Sequence, residues 1–308
     1  MIQNMAAQSA PPAAANAGPK RFATLTFQRE VAAPVSVLWA AWTNPTARAV
    51  WAAPTPAVTV EFLEAETRVG GREVSLCKVD GQPDMRAECG WLELQAEQCS
   101  VNYEVISCEG VTQSAALVTA RVSGSGDHSR LEVTVQLSSL GEDMEAGYRQ
   151  GFGAGWDQLA GVAERTMILE KTIRAPRSAV WGAWVNDEAL PQWWGPEGFS
   201  CRTQRIDLRS GGEWLFDMIG PDGTVFPNHH LYLEVRPQDR IAYSLLSGEN
   251  GPKHADAWAS LEELDGVTKV TLGMVFSTAA EFQEAKDFGA VELGLETLGK
   301  LERFVATS

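Results

Sequence analysis

Two adjacent histidines, His229 and His230, are the residues of this 308-residue chain best suited to acid–base work. An imidazole titrates near neutrality and is oriented by a neighbouring carboxylate, which makes Asp217, on the preceding strand-like segment, the candidate partner. If the pair lies on a strand the two rings point to opposite faces, so only one can enter an interior. Five cysteines (Cys77, Cys89, Cys99, Cys108 and Cys201) are an odd number without a CxxC pair, a poor basis for a disulfide framework or a zinc site. Cys77 and Cys89 fall on neighbouring strand-like segments, and with no Lys, His or helix start expected beside them they read as buried, inert thiols. Gly151-Phe152-Gly153-Ala154-Gly155 imitates a dinucleotide loop, but the third glycine of GxGxxG would fall at Trp156 and the run continues a helical pattern, so it reads as close helix packing. No GxSxG, HExxH or phosphate-binding loop is present. No catalytic set, metal site or cofactor is therefore expected.

The elements that would hold these residues occur twice. Arg29 to Pro54 reads REVAAPVSVLWAAWTNPTARAVWAAP, and Lys171 to Pro196 reads KTIRAPRSAVWGAWVNDEALPQWWGP. Pro34, Trp39, Trp42, Asn44, Trp51 and Pro54 recur 142 positions later as Pro176, Trp181, Trp184, Asn186, Trp193 and Pro196. Gly70-Gly71 matches Gly211-Gly212, and Trp91-Leu92-Glu93 matches Tyr232-Leu233-Glu234. Self-similarity at a domain-sized period indicates a duplicated fold. The expected units are 21–163 and 164–308, after a disordered Ala/Pro-rich tail at 1–20.

Within each unit the pattern changes period in the same order. Phe22 to Val31 and Arg165 to Arg174 alternate as strands. Pro34 and Pro176 then suit a first helical turn, and two short helices follow. Strand-like segments separated by Asp80-Gly81, Gly124-Ser125-Gly126, Pro221-Asp222-Gly223 and Asp265-Gly266 form an antiparallel meander. A helical period closes each unit. Phe282 to Val305 predicts one helix of about 36 Å at roughly 1.5 Å per residue. Met144 to Ala163 predicts another, interrupted by Gly147, Gly151, Gly153, Gly155 and Gly161, which cost on the order of 4–5 kcal/mol of helix stability. That order is α+β, with the last helix across a curved sheet and space between them that serves as the default ligand site.

Composition narrows the partners. At 44% hydrophobic and 21% charged the chain can bury real cores, and a net charge of -15 repels phosphate backbones and anionic lipid. The units carry -8 each, so neither is a basic module. Val31 to Ala47 is broken by Pro34 and Pro45, so no membrane span is expected. The N-terminal residues lack the basic and apolar regions of a signal peptide. No nucleic acid, no membrane and a cytoplasmic location are the expectations.

APxxxVWxAWxN, WWGPEGF, SGGEWLFDMIGPDGT, PNHHLYLEV, RIAY and FGAVELGLETLGKL in the second unit resemble the START-like, Bet-v-type (SRPBCC) superfamily, and within it the activator of heat-shock-protein ATPase homologue family. The first unit matches more weakly, through APVSVLWAAWTN, VGGRE, WLELQ and GFGAGWDQLAGVAE. The resemblance implies two tandem helix-grip domains, each a seven-stranded antiparallel sheet wrapped around a long C-terminal helix, with two short helices after the first strand. It does not imply one activity, since function belongs to sites and not to folds. Trp39, Trp42, Trp181 and Trp184 read as core. Trp214, Phe216 and Met218 alternate along one strand, and the helix-grip order places Trp193, Trp194, Phe199, His230, Tyr232 and Trp258 near them, which gives the candidate ligand-binding set of the second unit. The expected function is binding of a small hydrophobic molecule or a stress-response role, with the first unit supporting or regulating. The alternatives are a cyclase- or hydrolase-like enzyme using a cavity histidine, and a co-chaperone of a heat-shock ATPase.

Overall fold

The computed structural model describes residues 21–53, 57–139 and 144–307. The tail expected at 1–20 and the recurring Pro54 lie outside them. The first unit runs β1 (Arg21–Val31), α1 (Val35–Thr43), α2 (Pro45–Trp51), β2 (Val58–Ala65), β3 (Arg72–Val79), β4 (Met85–Gln95), β5 (Cys99–Cys108), β6 (Val111–Ser125), β7 (His128–Ser139) and α3 (Met144–Glu164). The second runs β8 (Thr166–Ile173), α4 (Arg177–Val185), α5 (Leu190–Trp193), β9 (Ser200–Ile206), β10 (Glu213–Ile219), β11 (Val225–Arg236), β12 (Arg240–Leu246), β13 (Lys253–Leu264), β14 (Val267–Phe276), α6 (Ala279–Asp287) and α7 (Ala290–Thr307). Each unit holds one seven-stranded antiparallel sheet, ordered β1-β7-β6-β5-β4-β3-β2 and β8-β14-β13-β12-β11-β10-β9. This is the α+β order that the duplicated pattern predicts, in the helix-grip arrangement that the resemblance implies.

The recurring residues are those that fix the frame. Asn44 caps α2 by accepting from Thr46 N at 3.0 Å, and Asn186 accepts from Glu188 N and Ala189 N at 2.9 Å each, satisfying amides that a helix start leaves unpaired. Trp51 Nε1 donates to Ala41 O at 2.7 Å, and Trp193 Nε1 to Ala183 O at 2.9 Å, so one indole in each unit ties the two short helices together. Gly70 and Gly211 adopt positive φ of 75° and 78°, and a Cβ on Gly71 or Gly212 would fall 2.1 or 2.2 Å from a carbonyl oxygen. Only glycine fits that turn. Gly70 N and Gly211 N each donate at 2.8 Å to the carbonyl of the recurring aromatic, Trp91 or Tyr232. A β-bulge follows that aromatic in both sheets, between Trp91 and Glu93 and between Tyr232 and Glu234. Bulges bend a strand and add twist, and here they help curve the sheet around its helix.

Leu25, Leu38, Leu131 and Leu159 sit in the first core; Ile173, Leu190, Leu298 and Leu301 sit in the second. Ala242, Trp258 and Val275, from the outer face of the second sheet, join the first core. At this junction the buried Arg240 donates through Nε to Glu234 Oε2 at 3.0 Å and through Nη2 to Asn44 Oδ1 at 3.2 Å and to Thr46 Oγ1. Arg236 Nη1 donates to Ala65 O at 2.6 Å.

The single helix expected over Phe282–Val305 is two helices. Gly289, at φ 85°, ends α6 with its N–H on Lys286 O at 3.0 Å, and α7 begins at Ala290. A left-handed glycine after a helix is a stop, and the apolar period continued through it because both helices cover the same core. The 18 residues of α7 span about 27 Å. By contrast α3 is unbroken over 21 residues despite its glycines. No described helix is long and apolar enough to cross a membrane.

Candidate functional site

Each sheet and its closing helix enclose a cavity. The second, of about 330 Å³, has Trp194, Phe199, Met218, His230, Tyr243 and Leu245 among its lining residues. Gly195, at φ 90°, lets the chain after Trp194 pass close to Met218, where a Cβ would lie 3.1 Å from the sulfur. Lys300 on α7 donates to the carbonyls of Pro196 and Phe199 at 3.3 and 3.2 Å, fixing that loop as one wall.

His230 is one of the polar groups of this lining, with Asn228, Tyr243, His254 and Thr297. Its ring stacks on Tyr243 at 4.6 Å and meets Phe216, Trp214 and Trp194 edge-on at 5.1, 5.5 and 5.5 Å. Burial in this aromatic box, helped by the nearby His254 and His229, pushes its pKa down to about 3. The imidazole is therefore neutral near pH 7, with one donor and one acceptor nitrogen. His229, on the opposite face, holds Glu213 Oε2 at 2.6 Å through Nε2, while its Nδ1 is buried without a hydrogen-bond partner among the described residues.

The partner expected for the cavity histidine is corrected. Asp217 alternates with the inward Phe216 and Met218, and its Oδ2 accepts from Arg202 Nη2 at 2.7 Å and Gln204 Nε2 at 3.0 Å on β9. The carboxylate that does meet a histidine is Glu213, on the outer face. The candidate ligand set also divides. Trp194, Phe199, Met218, His230 and Trp258 border the open space. Trp193, Trp214, Phe216 and Tyr232 are packed into the wall behind it, Trp214 stacked on Phe216 at 3.7 Å. Trp258 borders the cavity but also reaches the other face of the sheet. Its indole lies where a Cβ on Gly273 would come within 2.0 Å, beneath the Arg240 guanidinium at 5.9 Å, and it belongs to the junction between the units. One residue of register on a strand exchanges inside for outside.

The first unit, expected only to support or regulate, encloses the larger space, about 450 Å³. Three of its helix glycines explain the room: Gly147, Gly151 and Gly155 lie four residues apart on the face of α3 that lines the cavity. A Cβ at Gly147 or Gly151 would meet nothing within 4 Å. The wall is charged. Arg48 on α2 pairs with Glu73, whose other oxygen accepts from Thr67 Oγ1 at 2.8 Å, and the guanidinium lies 5.1 Å over Phe62 and 5.7 Å from Trp91. Glu104 on β5 accepts from the Tyr148 hydroxyl at 2.6 Å and, weakly, from the Cys89 thiol at 3.8 Å. Burial, then the Glu104 charge, raises the pKa of both Tyr148 and Cys89, while Arg48 opposes the shift at Cys89. Cys77 is raised by burial and by Asp84. Both thiols are protonated near neutrality, in keeping with an inert reading.

Strand register shows what replaced what. Cys89 pairs with both Glu73 and Glu104; His230 pairs with both Trp214 and Leu245. The turn anchors Trp91 and Tyr232 pair with Asn102 and Tyr243. Arg48 precedes the tying Trp51 by three residues, as Leu190 precedes Trp193. Arg48, Glu73, Glu104, Cys89 and Asn102 of the first unit therefore occupy the positions of Leu190, Trp214, Leu245, His230 and Tyr243 in the second. Sequence reasoning missed the first cavity because it weighed aromatic residues. The signal was Arg48 and Glu73 standing where the sister unit has Leu and Trp. Among the described residues no group of three or more His, Cys, Asp or Glu is placed to hold a metal ion.

The model of the family described as "Activator of Hsp90 ATPase homolog 1-like protein" matches residues 32–164 and again 174–306. Among solved structures, the crystal structure of a Nitrosomonas europaea protein is 27% identical, covers 47% of this chain and 96% of its own, and has a TM-score of 0.42. The solution structure of a Staphylococcus epidermidis protein is 25% identical, over 46% of this chain and 90% of its own, with a TM-score of 0.42. The crystal structure of the di-domain ARO/CYC BexL from the BE-7585A biosynthetic pathway is 16% identical, over 92% of this chain and 98% of its own, with a TM-score of 0.38. A search of curated proteins finds no match.

Proposed function

Since the chain belongs, through both halves, to the activator of Hsp90 ATPase homolog 1-like family, we propose that it is a tandem-domain small-molecule-binding protein whose second domain takes a neutral, flat, hydrophobic ligand. The observation that carries this is His230: a neutral imidazole, 2% exposed, stacked among aromatic rings and lining a mostly apolar cavity. A ligand carbonyl or hydroxyl that hydrogen-bonds this ring in an apolar cavity gains specificity as well as affinity. A base of this strength without a carboxylate beside it is a poor proton acceptor near neutrality, which favours binding over cyclase- or hydrolase-like catalysis.

Flavone, a flat neutral ketone, is the test ligand, followed by titration calorimetry on the whole chain. Binding that is abolished by Ala290→Phe, which fills the cavity from α7, and weakened about fivefold to tenfold by His230→Leu is expected. No binding of flavone, or binding untouched by Ala290→Phe, removes the reading. The family description supports a second one, partnership with a heat-shock ATPase. A complex with Hsp90 in a pull-down and a changed ATP turnover are its expected results; absence of both discards it.

A further inference from the structure

The cavity of the first domain carries a carboxylate, Glu104, that makes no salt bridge among the described residues and feels the Arg48 charge only at longer range. Arg48 is the single basic residue of its lining, and its charge is matched by the buried Glu73, which Thr67 also holds. Glu104 is left with a hydroxyl and a thiol as donors, and no ion pair joins it among the described residues. The lining itself holds Arg48 and Glu104; with Glu73, which lies behind the lining and neutralises Arg48, the three carry one net negative charge. A carboxylate accepts up to about four hydrogen bonds. Two of these positions on Glu104 are taken, one of them by a thiol.

The rest of the wall suits a cation with an apolar body. Trp42 and Trp51 stack at 5.8 Å, and Phe62 and Trp91 already receive the Arg48 guanidinium on their rings. Aromatic faces attract a desolvated cation, most strongly tryptophan. The glycine face of α3 leaves the space an apolar body needs, and filling it with side chains would have been sterically free at Gly147 and Gly151. The sister domain shows that the fold does not require this charge, since Leu245 stands at the Glu104 position and Leu190 and Trp214 at the Arg48 and Glu73 positions. A buried ion pair is weak evidence for stability, because apolar residues in the same positions do as well or better.

We infer that the first cavity is a second binding site, for an organic ammonium: an apolar or aromatic ligand whose protonated amine pairs with Glu104. The site is chemically distinct from that of the second domain and stands independently of it. Recognition works by charge and exclusion together. The amine replaces part of its lost hydration with the Glu104 carboxylate and the indole faces, a carboxylate ligand is repelled by the net charge, and a neutral ligand leaves Glu104 short of donors.

The experiment compares three probes of one shape on the whole chain: 2-(1-naphthyl)ethylammonium, the corresponding naphthylethanol and the naphthylpropanoate. Calorimetry and native mass spectrometry are expected to show the ammonium binding at least about tenfold tighter than either other probe. Glu104→Gln should erase that preference while leaving the alcohol's affinity in place, which also shows that the variant folds. Gly151→Leu, whose side chain enters open space, should abolish ammonium binding. Flavone titrated into the same two variants reads the second cavity separately, so a failure there is distinguishable. No ammonium binding to the wild-type chain, equal binding of all three probes, tighter binding of the carboxylate, or ammonium affinity unchanged in Glu104→Gln would each overturn the inference.

Discussion

The two domains share a frame and differ in what faces the interior. The Asn caps, the indole-to-carbonyl ties of Trp51 and Trp193, the Gly-Gly turns and the bulges after Trp91 and Tyr232 are the same in both. At five positions of the cavity wall one domain has Arg, Glu, Glu, Cys and Asn where the other has Leu, Trp, Leu, His and Tyr. These groups sit on the concave faces of strands and on a short helix, where a side chain changes without altering a backbone hydrogen bond. Duplication thus left one scaffold with two solvents inside it, one aromatic and neutral, the other acidic.

The comparison breaks most sharply at the charged wall. Arg48→Met leaves Glu73, 2% exposed, without its cation, and about 3–5 kcal/mol of stability is the expected loss, read by chemical denaturation of the whole chain. Replacing both partners by the residues of the sister domain, Arg48→Leu with Glu73→Trp, should recover most of it if the positions are equivalent. A loss below about 1 kcal/mol for Arg48→Met would show that water reaches the pair and that the two walls are less different than their sequences.

Acid should separate the domains next. His230 is held near pKa 3 by burial, below the 6.5 of the free side chain, so between these values the unfolded chain binds a proton that the folded one refuses. The stability contributed is full above about pH 6.5 and is lost as pH falls toward 3, amounting to about 2 kcal/mol between pH 8 and pH 5. Carboxylates and His254 titrate nearby, so the measurement is the difference between the wild-type chain and His230→Phe across that range. Parallel curves for the two would place the imidazole in contact with water and withdraw the neutral-histidine reading.

The smallest effect contrasts the closing helices. Gly151→Ala should stabilise the chain by about 0.5–1 kcal/mol, because its Cβ meets open cavity and alanine is the better helix former. Gly294→Ala, in α7 at the place of Gly155 in α3, should not, since its Cβ would fall 2.3 Å from Leu169 Cδ1. Denaturation midpoints moving the same way in both variants would remove the argument that the glycines of α3 keep its cavity open.

Much of the frame was legible before any coordinates. Alternation, turn residues and the 142-residue recurrence predict the antiparallel meander and both pairs of short helices, since each rests on local periodicity or on residues adjacent in sequence; that β1 and β8 pair with the last strand of each unit is not local. The same locality misled at the end of the second domain, where an apolar period ran through Gly289 without showing that the backbone turns left-handed there. Of the candidate site, the aromatic cluster around His230 was legible as a set, from types and alternation. Which members face open space was not, because Trp214 and Met218 share a strand face and differ only in what packs against them.

The sequence by itself determined a duplicated α+β frame with two curved sheets and a histidine pair on one strand. Tertiary structure alone decided that Asp217 lies outside, that Trp258 belongs to the junction, and that Glu104 reaches Tyr148 from 44 residues away. Backbone hydrogen bonds and side-chain period are set by neighbours along the chain. Which charges meet across a cavity depends on strand register and on the direction of a helix laid over the sheet, and neither is written in any local stretch of residues.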